Sequence, residues 1–182
     1  MQNNKEKTEI VRISKGEAND ILLQYHYLGK VGSGISYAVL LGGEIESVAV
    51  FSNTKTVQGV RMCELSRFVL VKNEKNLASK YLAAIFSHIK GDYDAIISYS
   101  DEVVGHTGVI YKAIGAVDLG KGKDVVGFEL DGRIISGRNV SYALVGKEDK
   151  VKPVRIPGKH KFLMILNKEK QIVSLLKNIY KF

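Results

Sequence analysis

Cysteine is almost missing from this chain: Cys63 is the single thiol in 182 residues. One thiol closes no intramolecular disulfide and offers no CxxC pair to zinc, which excludes a disulfide scaffold and a zinc finger. Cys63 itself reads as a small buried apolar residue rather than a nucleophile. Long apolar runs are missing too, since none approaches the ~20 residues that span a bilayer. The first residues, MQNNKEKTEIVR, lack the apolar core of a secretory signal. These absences lead us to expect a soluble protein of the reducing cytoplasm with no membrane partner. No internal repeat and no dividing linker is visible, so residues 1–182 are expected to form one domain.

Acids are also scarce, with 19 Asp+Glu against 27 Lys+Arg and a formal net charge of +8. The excess gathers in a basic C-terminal segment from about 150 to 182, where Glu169 is the one acid after Lys150. A basic domain of this kind gains affinity for polyanions by releasing condensed counterions. A lysine-rich surface that serves solubility alone carries the same count. Hydrophobic residues at 45% and charged residues at 25% exclude disorder.

Periodicity orders the elements. Glu9–Ile13 alternates as a strand, and Ser14 with Glu17 forms a capping box for a helix through about Tyr25. Ile35–Leu41 and Ile45–Phe51 make a hairpin, and Cys63–Val71 a further strand. Asn76 is expected to cap a helix whose apolar face is Leu77, Tyr81, Ala84, Ile85 and Ile89, ended by Gly91-Asp92. Ala95–Ser100 is apolar enough for the centre of a sheet, and a short helix follows over Val109–Ile114. Val125–Leu130 and Arg133–Ser136 pair through an Asp131-Gly132 turn. Phe162–Leu166 reads as a strand and Gln171–Phe182 as an amphipathic helix. Strands and helices in this mixed order mean an α+β or α/β domain, a mixed central sheet of six to seven strands flanked by helices. The order resembles the GNAT N-acetyltransferase fold.

Polar residues cluster at the strand ends and adjoining loops. They are His26-Tyr27, Glu64-Leu-Ser-Arg67, Ser98-Tyr-Ser-Asp101, His106-Thr-Gly108 with Ile110-Tyr-Lys-Ala113, and Lys159-His160-Lys161. Ligands of open sheets bind at the C-terminal ends of central strands, where Asp101 falls with His106 and Tyr111 beside it. Carboxylate, imidazole and phenol are the groups that move protons near neutral pH. Asp101 reads equally as an N-cap of the next turn. Glu64 and Arg67 are an odd number of residues apart on one strand, so they are expected on opposite sheet faces. A buried Arg67 needs a carboxylate, and Asp101 is available as its partner. His26 is also readable as part of an aromatic patch, and His88 as a surface or satisfied core residue. His26, His106 and Asp101, or Glu64 in its place, make the two-histidine, one-carboxylate set that suits iron.

Taken together and in this order, these clusters resemble the phage Mom family of DNA adenine-modification proteins, from His26 to about Phe162. The resemblance implies a GNAT-like transferase that converts adenine in DNA to N6-carbamoylmethyladenine and so shields phage DNA from host restriction. It implies DNA as partner, with the target base flipped out of the duplex, and the host cytoplasm as location. It carries Asp101, Tyr111, Arg67, His26 and Tyr27 over as active-site residues, with Ser98 and His106 beside them. Lys112, Lys159, His160 and Lys161 are the expected phosphate contacts. Ser100 stands where the family has Ala, Lys112 where it has Gln, and Lys161-Phe162 where it has Arg-Tyr. The donor is acetyl-CoA or another acyl or glycinamide donor. GNAT enzymes hold the CoA diphosphate on a glycine-containing turn, whereas Val71-Lys-Asn-Glu-Lys-Asn-Leu-Ala78 has no glycine. Lys72 and Asn76 at that helix start remain as cofactor-binding candidates. Two other functions fit the sequence: an acyltransferase acting on a protein or small amine, and a DNA-binding accessory protein without catalysis.

Overall fold

A computed structural model describes residues 8–130, 133–136 and 152–182. Along them run β1 (Thr8–Ile13), α1 (Lys15–Tyr25), β2 (Ile35–Leu41), β3 (Glu44–Val57), β4 (Val60–Leu70), α2 (Leu77–Ile89) and β5 (Ala95–Ser100). A 3-10 turn over Glu102–Val104 leads to α3 (Val109–Ala113), β6 (Val117–Lys121), β7 (Val125–Leu130) and β8 (Arg133–Ser136). The chain ends with β9 (Lys152–Ile156), β10 (His160–Ile165) and α4 (Lys170–Tyr180). Among the described residues no helix is long and apolar enough to cross a membrane.

Local chemistry accounts for most boundaries. At the start of α1 the Glu17 amide donates to Ser14 Oγ, and the Ser14 amide donates to the Glu17 carboxylate. That is the expected capping box. Asn76 does not cap α2 as expected. It adopts a left-handed φ of 67° and its side chain accepts no cap hydrogen bond. The β3–β4 hairpin is longer than its alternation indicated, because Gln58 and Gly59 both take positive φ and turn the chain two residues past Thr56. Strands β6 and β9 were not legible: both are short and exposed along much of their length, so neither has a core face to write a pattern. The expected Asp131-Gly132 turn lies outside the described residues.

Seven strands form one sheet in the order β1-β2-β3-β4-β5-β10-β6, and β8-β7-β9 form a second, smaller sheet. Only β4 and β5 run parallel within the large sheet. Tyr81, Leu82, Ile85, Phe86 and Ile89 of α2 pack with Tyr111 of α3 on one face, against Phe51, Leu65, Ile96 and Phe162. On the other face Ala18 and Leu22 of α1 cover Val48, Val50 and Val69, while Leu176 of α4 covers Met62, Ala95 and Ile97. Burying apolar surface on both faces is what makes the central strands nearly continuous in hydrophobic residues.

Strand β4 carries the irregularity that matters. Phe51 pairs with Leu65 but its neighbour Val50 pairs with Arg67, so Ser66 is an extra residue, a β-bulge. The bulge inverts the alternation downstream. Leu65 faces α2, yet Arg67 stands beside Val69 and Val50 on the α1 face. Glu64, paired with Ser52, belongs to that same face, so the expectation that Glu64 and Arg67 point apart is corrected. Pairing of β4 with β5 stops at Glu64 and Ile97, just before the bulge, and beyond it the two parallel strands part.

Candidate active site

The split between β4 and β5 opens into a cleft of about 610 Å³. Its walls are Leu65–Val71 of β4 and its extension, Ser98–Ser100 of β5, Tyr25–Leu28 after α1, and Gly105–Tyr111 around the start of α3. Asn73 and Ala78 close the end nearest α2. Six of the seven expected catalytic residues therefore line one cavity: His26, Tyr27, Arg67, Ser98, His106 and Tyr111.

Tyr111 and Ser98 form the interior. Ser98 Oγ lies 3.0 Å from the Leu65 carbonyl and 2.9 Å from Tyr111 Oη. One hydroxyl has one proton, so a serine that donates to the carbonyl accepts from the tyrosine. The three groups thus make a short hydrogen-bond chain across the split, ending on the backbone carbonyl. Burial raises the Tyr111 pKa above the ordinary phenol value, with the Ser98 bond partly opposing it, so the phenol stays protonated near neutral pH. Gly108 makes this placement workable. Its φ is 74°, and a Cβ there would run into the Phe162 ring, which packs 5.1 Å from the Tyr111 ring.

Aromatic rings form the mouth. His26 stacks on Tyr27 at 4.9 Å with 19° between planes, and His106 meets Tyr27 edge-on at 5.1 Å. The Leu28 amide donates to His26 Nδ1 at 3.1 Å, so the neutral ring carries its proton on Nε2. Desolvation, the Arg67 guanidinium and His106 lower the His26 pKa to about 4. His26 is thus part of an aromatic patch that also borders the cleft. Burial, then the nearby Asp101 charge, raises the Tyr27 pKa.

Asp101 does not line the cleft. One carboxylate oxygen accepts from the Val103 amide at 3.2 Å and the other pairs with Lys159 Nζ at 2.7 Å. The N-cap reading is the one the geometry bears out. The expected Arg67–Asp101 pair is not formed. Arg67 donates from Nη1 to the Ser66 carbonyl at 2.7 Å, and its Nε is buried with no partner. Ser100 Oγ, on the facing wall, is likewise buried and unpartnered. Sequence reasoning singled out neither Ser66 nor Asn73 as a wall residue. The bulge and the tertiary approach of α2 put them there, and the sequence carries no signal for either.

The residues expected to meet phosphate are engaged within the protein. Glu102 takes Lys121 at 2.6 Å and His160 at 3.2 Å, and Asp118 takes Lys112 at 3.6 Å and the other side of His160 at 3.5 Å. With Asp101–Lys159 they form an alternating charge network under the turn after β5. Lys161 points to the opposite face, where its ammonium lies 4.6 Å over the Tyr180 ring. Cations without such partners among the described residues include Lys30 and Lys75, exposed beside the cleft residues Leu28 and Asn73. Cys63 is 2% exposed, and burial pushes its thiol up to about 12, which removes it as a nucleophile. His88 is a surface residue.

Among the described residues no group of three or more His, Cys, Asp and Glu side chains could hold a metal ion. The expected iron set is not assembled, because Leu28 occupies His26 Nδ1, and Val103 and Lys159 occupy Asp101.

This fold is that of the GNAT acetyltransferases. An IAA acetyltransferase from Bacillus cereus superposes with TM-score 0.53 at 13% identity, covering 87% of this chain and 99% of that one. A GNAT family acetyltransferase from Elizabethkingia anophelis, solved with acetyl-CoA bound, gives 0.53 at 12% identity over 87% and 97%. The ribosomal-protein-S18-alanine N-acetyltransferase from Escherichia coli gives 0.55 at 6% identity over 91% and 97%. No curated protein matches the chain. The chain belongs to the Mom protein family, which matches residues 7–180.

Whether CoA fits is decided at the α2 end of the cleft. The β4/β5 split offers the channel, but the segment from Val71 to Ala78 lacks glycine and Lys72 is tied to the Glu46 carboxylate at 3.0 Å. Neither Lys72 nor Asn76 is among the residues lining the cleft, although their neighbours Val71, Asn73 and Ala78 are. The cleft reaches the start of α2 at Ala78, where no side chain caps the helix, but without the glycines of the usual GNAT turn.

Proposed function

We propose that the protein is a DNA adenine-modifying transferase that places a carbamoylmethyl group on N6, as membership of the Mom family implies. The observation that carries this reading is the cleft itself, with an aromatic mouth and a hydroxyl pair inside. An enzyme acting on N6 must take the base out of the duplex, and a purine needs a flat ring to rest on. His26 and Tyr27 supply that surface. His26 Nε2–H is free to donate to a ring nitrogen of the base.

In the transfer, N6 bonds to a carbon of the donor while that carbon's bond to the leaving group breaks with its electron pair. N6 gives up one proton and the leaving group gains one. We assign the acceptor of the N6 proton to His106 and the acid to Tyr111, whose phenolate the Ser98 hydroxyl steadies until it regains a proton from the one His106 took. Arg67, with its buried Nε unpartnered, holds an oxygen of the transferred group. Asp101 is a positioning residue, fixing the turn whose His106 amide donates to its carbonyl at 3.0 Å. The donor on this reading is acetyl-CoA or another acyl or glycinamide donor. Lys30 and Lys75 are the phosphate contacts this reading favours.

Nucleoside digestion and mass spectrometry of DNA from cells expressing the protein test the proposal. N6-carbamoylmethyladenosine is expected. Unmodified DNA together with thiol release from acetyl-CoA and an amine would replace it by the acyltransferase reading.

A further inference from the structure

Large apolar side chains are exposed in the segments that border the cleft. Tyr25, Tyr27 and Leu28 are 45%, 48% and 47% exposed. Val103 and Val104, on the turn that leads to the cleft residue Gly105, are 46% and 42% exposed. Solvent-facing apolar residues gathered at a cavity mouth mark a contact surface. Charge says what that surface meets. Asp101 and Glu102, the acids of this turn, are paired with Lys159 and Lys121, and His160 Nε2 lies 3.2 Å from Glu102. The network removes their repulsion toward a polyanion and fastens the turn to β6 and β10. Lys30 adds an exposed cation close in sequence to Leu28.

We propose that the Val103–Val104 turn is a wedge that enters double-stranded DNA and fills the gap left by the flipped base. The inference rests on the adenine reading and adds to it the element that opens the duplex. Two β-branched side chains on a turn tied down by two lysine–carboxylate pairs and the His160–Glu102 contact are stiff and apolar, as a wedge between base steps must be. Stacking lost by the neighbours of the extruded base is replaced by contact with valine methyl groups. Lys159 and His160 serve the DNA through the turn they brace rather than by touching phosphate.

The test uses the full chain, the V103S/V104S double variant, and duplexes carrying one 2-aminopurine in varied contexts. Binding of the wild type raises the 2-aminopurine fluorescence, and the double variant is expected to lower that rise about tenfold. Both proteins are expected to bind the matching single strands, labelled for anisotropy, within about twofold of each other. Both valines are exposed, so equal melting temperatures are expected and will exclude misfolding. A wild-type fluorescence rise in the double variant overturns the wedge, as does an equal loss on duplex and single strand. Nucleoside mass spectrometry separates the two ideas. Modified adenosine made equally by wild type and variant sinks the wedge alone, whereas none from the wild type sinks the adenine reading, and the wedge with it.

Discussion

Among single residues, His26 shows how position redefines a side chain. An imidazole in water titrates near 6.5, but the cleft holds this one neutral down to about 4. Between those values the unfolded chain binds a proton that the folded one refuses, so stability is whole above about pH 6.5 and declines as pH falls toward 4. Denaturant melts at pH 7.5, 5.5 and 4 are expected to show that decline, and His26→Gln is expected to flatten it. Tyr111 makes the complementary case. Tyr111→Phe keeps the ring packed on Phe162 but removes the hydroxyl bonded to Ser98. Modified adenosine in cellular DNA is expected to fall by about 10²-fold or more, with folding intact by circular dichroism. Residue types alone suggested both. They also suggested Asp101 as a base and an Arg67–Asp101 pair, and there the hydrogen bonds to Val103 and Lys159 decided otherwise.

At the scale of elements, one extra residue sets up the site. Ser66 inverts the alternation of β4, turns Arg67 toward the α1 face and ends the pairing with β5. A bulge leaves little trace in a sequence, because alternation before and after it each looks regular. Gly108 is the second such hinge. Gly108→Ala must leave a left-handed φ and displace Phe162, at an expected cost of about 2–3 kcal/mol measured by denaturant unfolding. Because the shift also moves α3, the variant is expected to lose modification activity beyond its loss of stability. Capping box, hairpin and buried β5 were legible beforehand, since each is a local pattern of side chains. Asn76 was misread for the converse reason: the residue type favours capping, but its left-handed backbone aims the side chain elsewhere.

For the molecule as a whole, charge count and charge placement diverge. A net charge of +8 pointed to a polyanion, yet Lys112, Lys121, Lys159 and Arg155 are paired with acids. Under the proposed DNA-modifying function, Lys30 and Lys75, exposed and unpaired among the described residues, are the expected DNA contacts. Replacing either with Ala is expected to weaken DNA binding alike across sequences and to reduce the slope of log affinity against log salt by about 1. Titrations over a range of salt concentrations measure both quantities.

Composition and periodicity by themselves determined the mixed sheet, its helices and most of the residues that meet at the cleft. These follow from burial and capping, which act within a few positions of chain. Tertiary structure alone decided which polar groups are spent on each other and which stay open. Pairing of Asp101 with Lys159, exposure of Val103 and Val104, and the unpartnered Arg67 Nε depend on distances between segments far apart in sequence. Electrostatic and hydrogen-bond energies fall off over a few ångströms, so only the folded chain assigns them.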